Sequence, residues 1–348
     1  MIDYIIVGGG LAGISFAEQV RNVSKSFVVF NDSSQNSSLI AGGLYNPVIL
    51  KRFSGLANAQ EQLDEMKKFY LNLPTQLEGK YDFALPVLRK FFSIEEQNNW
   101  FAASDKPTMA PFLSTELVLK NYAGISSPLG YGEVMQTGFV DTKKLVQDYH
   151  TFLAEGNLIR NESFDYSALE INEESIRYKG IECRKIVFAE GFGIIKNPYF
   201  NYLPLDGTKG ELFIIKAEDL RLDVIVNTSV FILPLGNNMY KVGATYNWED
   251  KTSHPTEAGR AELISRIDEI IDCDYQIISH HAGIRPTVKD RKPLIGVHWQ
   301  YKNLFVLNGL GTRGVMQGPA LAKELFEYVE FGTELRVEND IKRIRKKS

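Results

Sequence analysis

The spacing of apolar positions changes along the chain, and each change marks an element. Residues 2–7 form an apolar run of strand length. Ile14, Ala17 and Val20 then recur at helical spacing, and residues 27–30 are a second short apolar run. Between the first run and the helix stands Gly8-Gly9-Gly10-Leu11-Ala12-Gly13, and after the second come Asn31 and Asp32. The chain therefore opens as strand, glycine turn, helix, strand, acid.

Farther on, Leu63, Met66, Tyr70 and Leu73 predict a helix over residues 58–73. Strand-like pieces at 87–92 and 116–119 are interleaved with Pro107, Pro111 and Pro128, and Ser93 with Glu96 announces one capped helix. Asp141 or Thr142 caps another, carrying Leu145, Val146, Tyr149 and Phe152. A buried strand at 185–189 runs out through Ala189 and Glu190 to Gly191. Strands follow at 212–215, 230–233 and 240–242, then a helix over 258–271 and a strand over 276–281. The last unit is a strand at 303–307, a glycine loop at 308–314 and a helix through residue 330, with Pro319 expected in its first turn. Strand–helix pieces thus sit at the start, middle and end, interrupted by two antiparallel-looking blocks. The expected fold is mixed α/β. Residues 1–73, 138–203 and 284–348 form a Rossmann-like dinucleotide domain, and residues 74–137 and 204–283 form an inserted, mainly antiparallel β-rich substrate domain.

Composition narrows the class without changing that picture. Hydrophobic residues at 44% of the 348 are enough for a large core, and a net charge of −4 argues against a nucleic-acid surface. Cys183 and Cys273 are far apart and outside any C-x-x-C, which fits a reducing compartment without a disulfide framework. No signal-peptide pattern precedes the first strand, and no apolar run approaches the roughly 18 residues of a membrane span. A cytoplasmic protein is expected. The five histidines lack metal-ligand spacing and there is no G-x-S-x-G, so neither a metal site nor a serine hydrolase is indicated. The basic run from Lys342 to Lys347 reads as a frayed, solvated end.

The opening unit carries the first chemistry. Gly8 allows a tight turn, Gly10 lets backbone approach a pyrophosphate, and Gly13 lets the helix sit against the strand. The helix N-terminus offers free N–H groups and a positive dipole end, and Asp32, or else Asn31, would accept from ribose hydroxyls. Adjacent Gly42 and Gly43 within Ala41-Gly42-Gly43-Leu44 suit backbone lying flat against a ligand. A second strand–glycine–helix loop, Asn308-Gly309-Leu310-Gly311-Thr312-Arg313-Gly314-Val315, suggests a large cofactor touched at two remote points.

These segments, with IVFAEG at 186–191 and AGIRPTVKDRKPLIG at 282–296, resemble the D-amino-acid oxidase/glycine oxidase (DAO) family. That family includes sarcosine oxidases and the oxidoreductase domain of a bifunctional tRNA wobble-uridine modifying enzyme, to which Gly311-Thr312-Arg313-Gly314 is closer than to the glycine-oxidase loop. The resemblance implies a glutathione-reductase/DAO-type two-domain fold and non-covalent FAD, since no cysteine follows Cys273 to tether a flavin. It implies cofactor contacts from Gly8, Gly10, Leu11, Ala12, Gly13, Asn31, Asp32, Ala41, Gly42, Gly43, Leu44, Ala189, Gly191 and residues 309–315. It also implies hydride transfer from the carbon beside a small amine to flavin N5, imine hydrolysis, and reoxidation by O2 or another acceptor. Arg285 matches the arginine that clamps a substrate carboxylate, unless it pairs with Asp290. Arg313 would meet charge developing on the flavin edge. Phe231 stands where glycine-type oxidases carry a tyrosine, and Tyr45 and Tyr246 are expected to line the pocket, with a core or rim position the alternative for each. Two alternatives remain: an oxidoreductase for an aminomethyl-type modified tRNA base, and a flavin-binding electron-transfer or regulatory protein with little oxidase activity.

Overall fold

The structure is a computed structural model and describes residues 1–344. Two eight-stranded sheets dominate it. In the first, strands run in the order Ile159–Arg160, Phe27–Phe30, Ile2–Val7, Ile181–Phe188, Ile176–Tyr178, Leu169–Ile171. Ile181–Phe188 carries two neighbours on its far side: its start pairs antiparallel with Ile176–Tyr178, and its end pairs parallel with Leu304–Asn308. The apolar runs are continuous because both faces of the sheet are covered. Tyr4, Ile6, Phe27 and Val29 enter the core beneath the helices Leu11–Asn22 and Gly314–Phe331, while Ile5, Val7, Val28 and Phe30 enter a second core on the other face.

The second sheet is ordered Gln276–Arg285, Thr208–Lys216, Met239–Gly243, Phe231–Gly236, Ile225–Asn227, Val87–Lys90, Tyr131–Val134, Leu113–Val118. It draws its strands from both of the antiparallel-looking blocks, yet it is not wholly antiparallel, since Val87–Lys90 and Ile225–Asn227 run parallel. One face packs Phe213, Ile215, Ile232 and Val242 under the helix Glu257–Asp268. Leu263 and Ile267 of that helix are fully buried, worth roughly 1.5–3 kcal/mol each. The opposite face turns toward the first sheet.

Several local expectations change. Ser93 caps its helix by accepting from Glu96 N–H at 3.1 Å, but the Glu96 carboxylate bonds Phe92 N–H and Arg89 in place of the cap's own N–H. Pro319 lies inside the helix Gly314–Phe331, not in its first turn. Proline lacks the N–H that would bond the Val315 carbonyl, and the Tyr70 hydroxyl donates to that oxygen instead, at 3.0 Å. The start of the basic tail is packed: Ile341 is buried, and Arg343 pairs with Asp290 and donates to the carbonyls of Asn339 and Asp340. Arg345 to Lys347 lie outside the described residues. No helix among the described residues is long and apolar enough to cross a membrane, and none of their His, Cys, Asp and Glu side chains cluster in a metal-holding group.

Candidate active site

The C-terminal ends of the parallel strands stand in a row, where ligands bind in open α/β sheets. Asn31 and Asp32 follow Phe27–Phe30, Gly8 follows Ile2–Val7, Ala189 and Glu190 follow Ile181–Phe188, and Asn308 ends the last strand. A cavity of about 570 Å³ starts at this rim and runs to the face of the second sheet. That volume lies within the ordinary range for ligand pockets.

At the rim, a Cβ on Gly13 would stand 1.8 Å from the Gly8 carbonyl oxygen, so Gly13 sets the helix against the strand and does not itself line the cavity. Gly8 has φ +110°, and a Cβ there would meet the Ala189 oxygen at 2.3 Å. The first helical bond outside the ladder's start is Ile14 N–H to Gly10 O, which leaves the N–H groups of residues 11–13 for other partners. Leu11 N–H donates to the Ser38 hydroxyl at 3.1 Å, in space that a Cβ on Gly10 would invade. His150 Nε2 meets the Gly9 carbonyl at 2.7 Å. Asn31 accepts from Gly9 N–H at 3.3 Å. Asp32 accepts from Ser34 N–H and the Ser163 hydroxyl. Burial pushes the Asp32 carboxyl up, but these hydrogen bonds outweigh it and hold it below the usual carboxylate range. Both residues line the cavity beside Phe164, Tyr166 and Glu190.

The middle of the cavity is walled by backbone. Gly43 has φ +76° and would strike the Val140 carbonyl with any Cβ. A Cβ on Gly42 would come 2.7 Å from the Phe231 ring. Lys241 donates to the Ala41 carbonyl at 3.1 Å and supports this stretch from the second sheet. Leu44 faces the cavity; Tyr45, next along the same strand, faces the other way. Tyr45 is therefore not a pocket residue. It is 3% exposed, packed in the main core with its hydroxyl toward Asp82.

At the far end, Phe231, Leu212, Tyr246 and Arg285 line the cavity with Gly210 and Gly283. Arg285 lies across Gly210, where a Cβ would sit 2.0 Å from Nη2. Its Nη1 donates to the carbonyls of Lys209 and Thr245 at 3.3 and 3.2 Å, and its guanidinium carbon stands 4.5 Å from the centre of the Tyr246 ring. Burial draws its pKa down, opposed only by Tyr246. No carboxylate pairs with it among the described residues; Asp290 is taken by Arg343. Leu310, Gly311, Thr312, Gly314 and Val315 line the remaining wall, with Ala12, Ala189 and Gly191. Gly309 instead packs on Val288 and Leu294, and Arg313 stands just outside the lining, within electrostatic range of Tyr246 and Arg291. Among the described residues, no cysteine lines the cavity.

Sequence reasoning overlooked Ser38, His150 and Glu190. The first two lie in segments that read only as loop and helix. Glu190 carried a visible signal, an acid just past an apolar strand, placed as Asp32 is.

A glycine turn opening a helix, a cavity too tight for side chains along one wall, and a cationic far end define a dinucleotide-dependent enzyme. The family model "FAD dependent oxidoreductase" (DAO) matches residues 3–328, and the chain belongs to that family. The glycine oxidase of Bacillus subtilis is 19% identical over 91% of this chain and 90% of its own. The tRNA 5-methylaminomethyl-2-thiouridine biosynthesis bifunctional protein MnmC of Idiomarina loihiensis is 21% identical over 92% of this chain and 54% of its own, and that of Legionella pneumophila is 26% identical over 50% and 26%. The chain thus spans about a quarter to a half of these bifunctional relatives. Among solved structures, iminodiacetate oxidase from Chelativorans superposes with a TM-score of 0.79 at 16% identity, covering 99% of this chain and 98% of that one. Glycine oxidase from Bacillus cereus gives 0.77 at 18%, covering 96% of each. Those likenesses show the two-domain FAD-binding fold. The glycine-walled cavity fits the cofactor: Gly8, Gly10 and the first turn of Leu11–Asn22 would hold its pyrophosphate, Asn31 and Asp32 its ribose, and Gly42, Gly43, Leu310, Gly311, Thr312, Gly314 and Val315 its flavin half.

Proposed function

We propose that the protein oxidises the C–N bond of a small primary or secondary amine bearing a carboxylate, an amino acid or N-substituted glycine, to an imine that hydrolyses. FAD, when bound, supplies the hydride acceptor. The chain's residues bind, orient and exclude water. Arg285 carries the reading. Two backbone carbonyls fix its Nη1, and its Nη2 and Nε have no protein acceptor among the described residues, which suits a two-pronged grip on a carboxylate. The apolar walls from Leu212 and Phe231 keep the reacting carbon dry, and Phe231 offers no hydroxyl to a second carboxylate oxygen. Among the described residues no acid or histidine lines this end, so the amine must arrive neutral.

A second reading, an aminomethyl-type modified tRNA base as substrate, is favoured by one observation. Tyr246 and Trp248, on the loop after Met239–Gly243, are 49% and 38% exposed and offer flat surfaces to a base. Anaerobic titration of the FAD-loaded protein with amino acids, N-alkyl glycines and a carboxymethylaminomethyl nucleoside decides between them. Bleaching of the flavin by a free carboxylated amine, with KM raised by Arg285→Ala, supports the first reading; bleaching by the nucleoside alone replaces it with the second.

A further inference from the structure

Glu190 and Asp32 line the cavity from the ends of the two strands that flank Ile2–Val7 and its glycine turn. The backbone places Glu190 there: Ala189 N–H bonds the Val7 carbonyl at 2.7 Å, so Glu190 lies beside the glycine turn, its Cα 3.2 Å from where a Gly8 Cβ would be. Its carboxyl accepts from the Tyr166 hydroxyl and from Asn197 Nδ2, the latter at 2.7 Å. Asp32 from the end of Phe27–Phe30, Glu162, and Lys196 from the turn Gly191–Lys196 line the same part of the cavity, and Tyr178 lies behind Tyr166. Asp32 is the acid held ionised, and no cation pairs with Glu190 among the described residues.

We propose that Glu190 holds a proton in the FAD-loaded protein and serves there as a neutral hydrogen-bonding group toward the ribosyl–pyrophosphate half of the cofactor, so that FAD binding and protonation of this carboxyl favour one another. A pyrophosphate brought against Gly8 adds negative charge on the side where Asp32 already stands, and a second carboxylate there would oppose it. The coupling is reciprocal by linkage. In the protein without FAD, burial, and after it the charge of Asp32, push the Glu190 carboxyl up to about 7 against the pull of Asn197 and Tyr166. The acid is thus poised to titrate where the effect is measurable.

The test is titration of FAD-free protein with FAD at fixed ionic strength, read from quenching of FAD fluorescence, from pH 6 to pH 8. With a midpoint near 7 and the proton retained in the complex, Kd weakens about tenfold across that span. Glu190→Gln, which keeps a neutral hydrogen-bonding group, gives a flat Kd. Tyr166→Phe removes a donor that favours the carboxylate and moves the midpoint to higher pH, which keeps the test alive if Glu190→Gln fails to fold. A flat Kd in the unmodified protein overturns the inference alone, as does an equal slope in Glu190→Gln, which would pass the titration to another group. No FAD uptake at any pH overturns the cofactor assignment together with the inference.

Discussion

Replacing Gly210 with alanine should disable Arg285 without touching it. The added Cβ would stand 2.0 Å from Nη2 and 2.2 Å from Cζ, so the guanidinium must leave. The atoms in the way belong to the end of a flexible side chain, and the pairing of Gly210 with Gly283 across the two strands can persist. Stability then has two small opposing terms. Alanine in a strand gains about 0.5–1 kcal/mol over glycine in chain entropy. Two neutral-acceptor hydrogen bonds from Nη1 are lost, at about 0.5–1.5 kcal/mol each. The net loss should stay within about 2.5 kcal/mol. Carboxylate binding loses hydrogen bonds to a charged group worth about 1.5–3 kcal/mol, which is roughly 10- to 150-fold in affinity. The assay is perturbation of the bound flavin's visible spectrum by a simple carboxylate, with KM for any carboxylated amine that reduces the flavin and thermal melting as the fold control. Gly210→Ala should match Arg285→Ala, and the double variant should be no worse than either. Unchanged carboxylate affinity in a folded Gly210→Ala protein would refute the assignment of Arg285.

Gly13→Ala forces a Cβ into the Gly8 carbonyl, backbone against backbone, and should cost about 1–3 kcal/mol with loss of bound FAD, read by melting temperature and the ratio of flavin to protein absorbance. Glu330 predicts acid sensitivity. Burial pushes its carboxyl up, but hydrogen bonds from Lys185, Lys25 and Tyr4 outweigh it and lower it to about 2. A depressed folded pKa gives stability that is present above the unfolded value of about 4.3 and lost as pH falls toward 2. Glu330→Gln should therefore flatten the stability profile between about pH 4.3 and 2, measured by urea unfolding, and should leave its shape above pH 5 unchanged.

What the sequence made legible was local. The turn at residues 8–13 could be read because strand, glycines, helix and acid lie within about thirty positions and each has one physical job. Arg285 could be read only as one of two things, clamp or ion pair, because the choice depended on Arg343, 58 positions away, taking Asp290. The direction of Tyr45 was hidden for a smaller reason: a two-residue strand has no periodicity from which to tell its faces. Pro319 was misplaced because its tolerance inside a helix rests on the Tyr70 hydroxyl, a partner from a remote helix. The parallel pairing of Val87–Lys90 with Ile225–Asn227 joins segments that no local pattern connects.

The strand order of the first sheet also bears on how the chain is made. The partner of Ile2–Val7, Ile181–Phe188, follows it by more than 170 residues, and the strand beyond that, Leu304–Asn308, by more than 100 again. The glycine turn is therefore translated long before the rim around it is complete. Until then an apolar strand waits with an unpaired edge, a state that favours slow folding and capture by other chains. Cofactor uptake must belong to the final stage, because the rim that receives it is assembled from strand ends scattered over nearly the whole chain. Free FAD should accordingly raise the yield of refolded protein by trapping the finished state, while leaving the early rates of collapse unaltered.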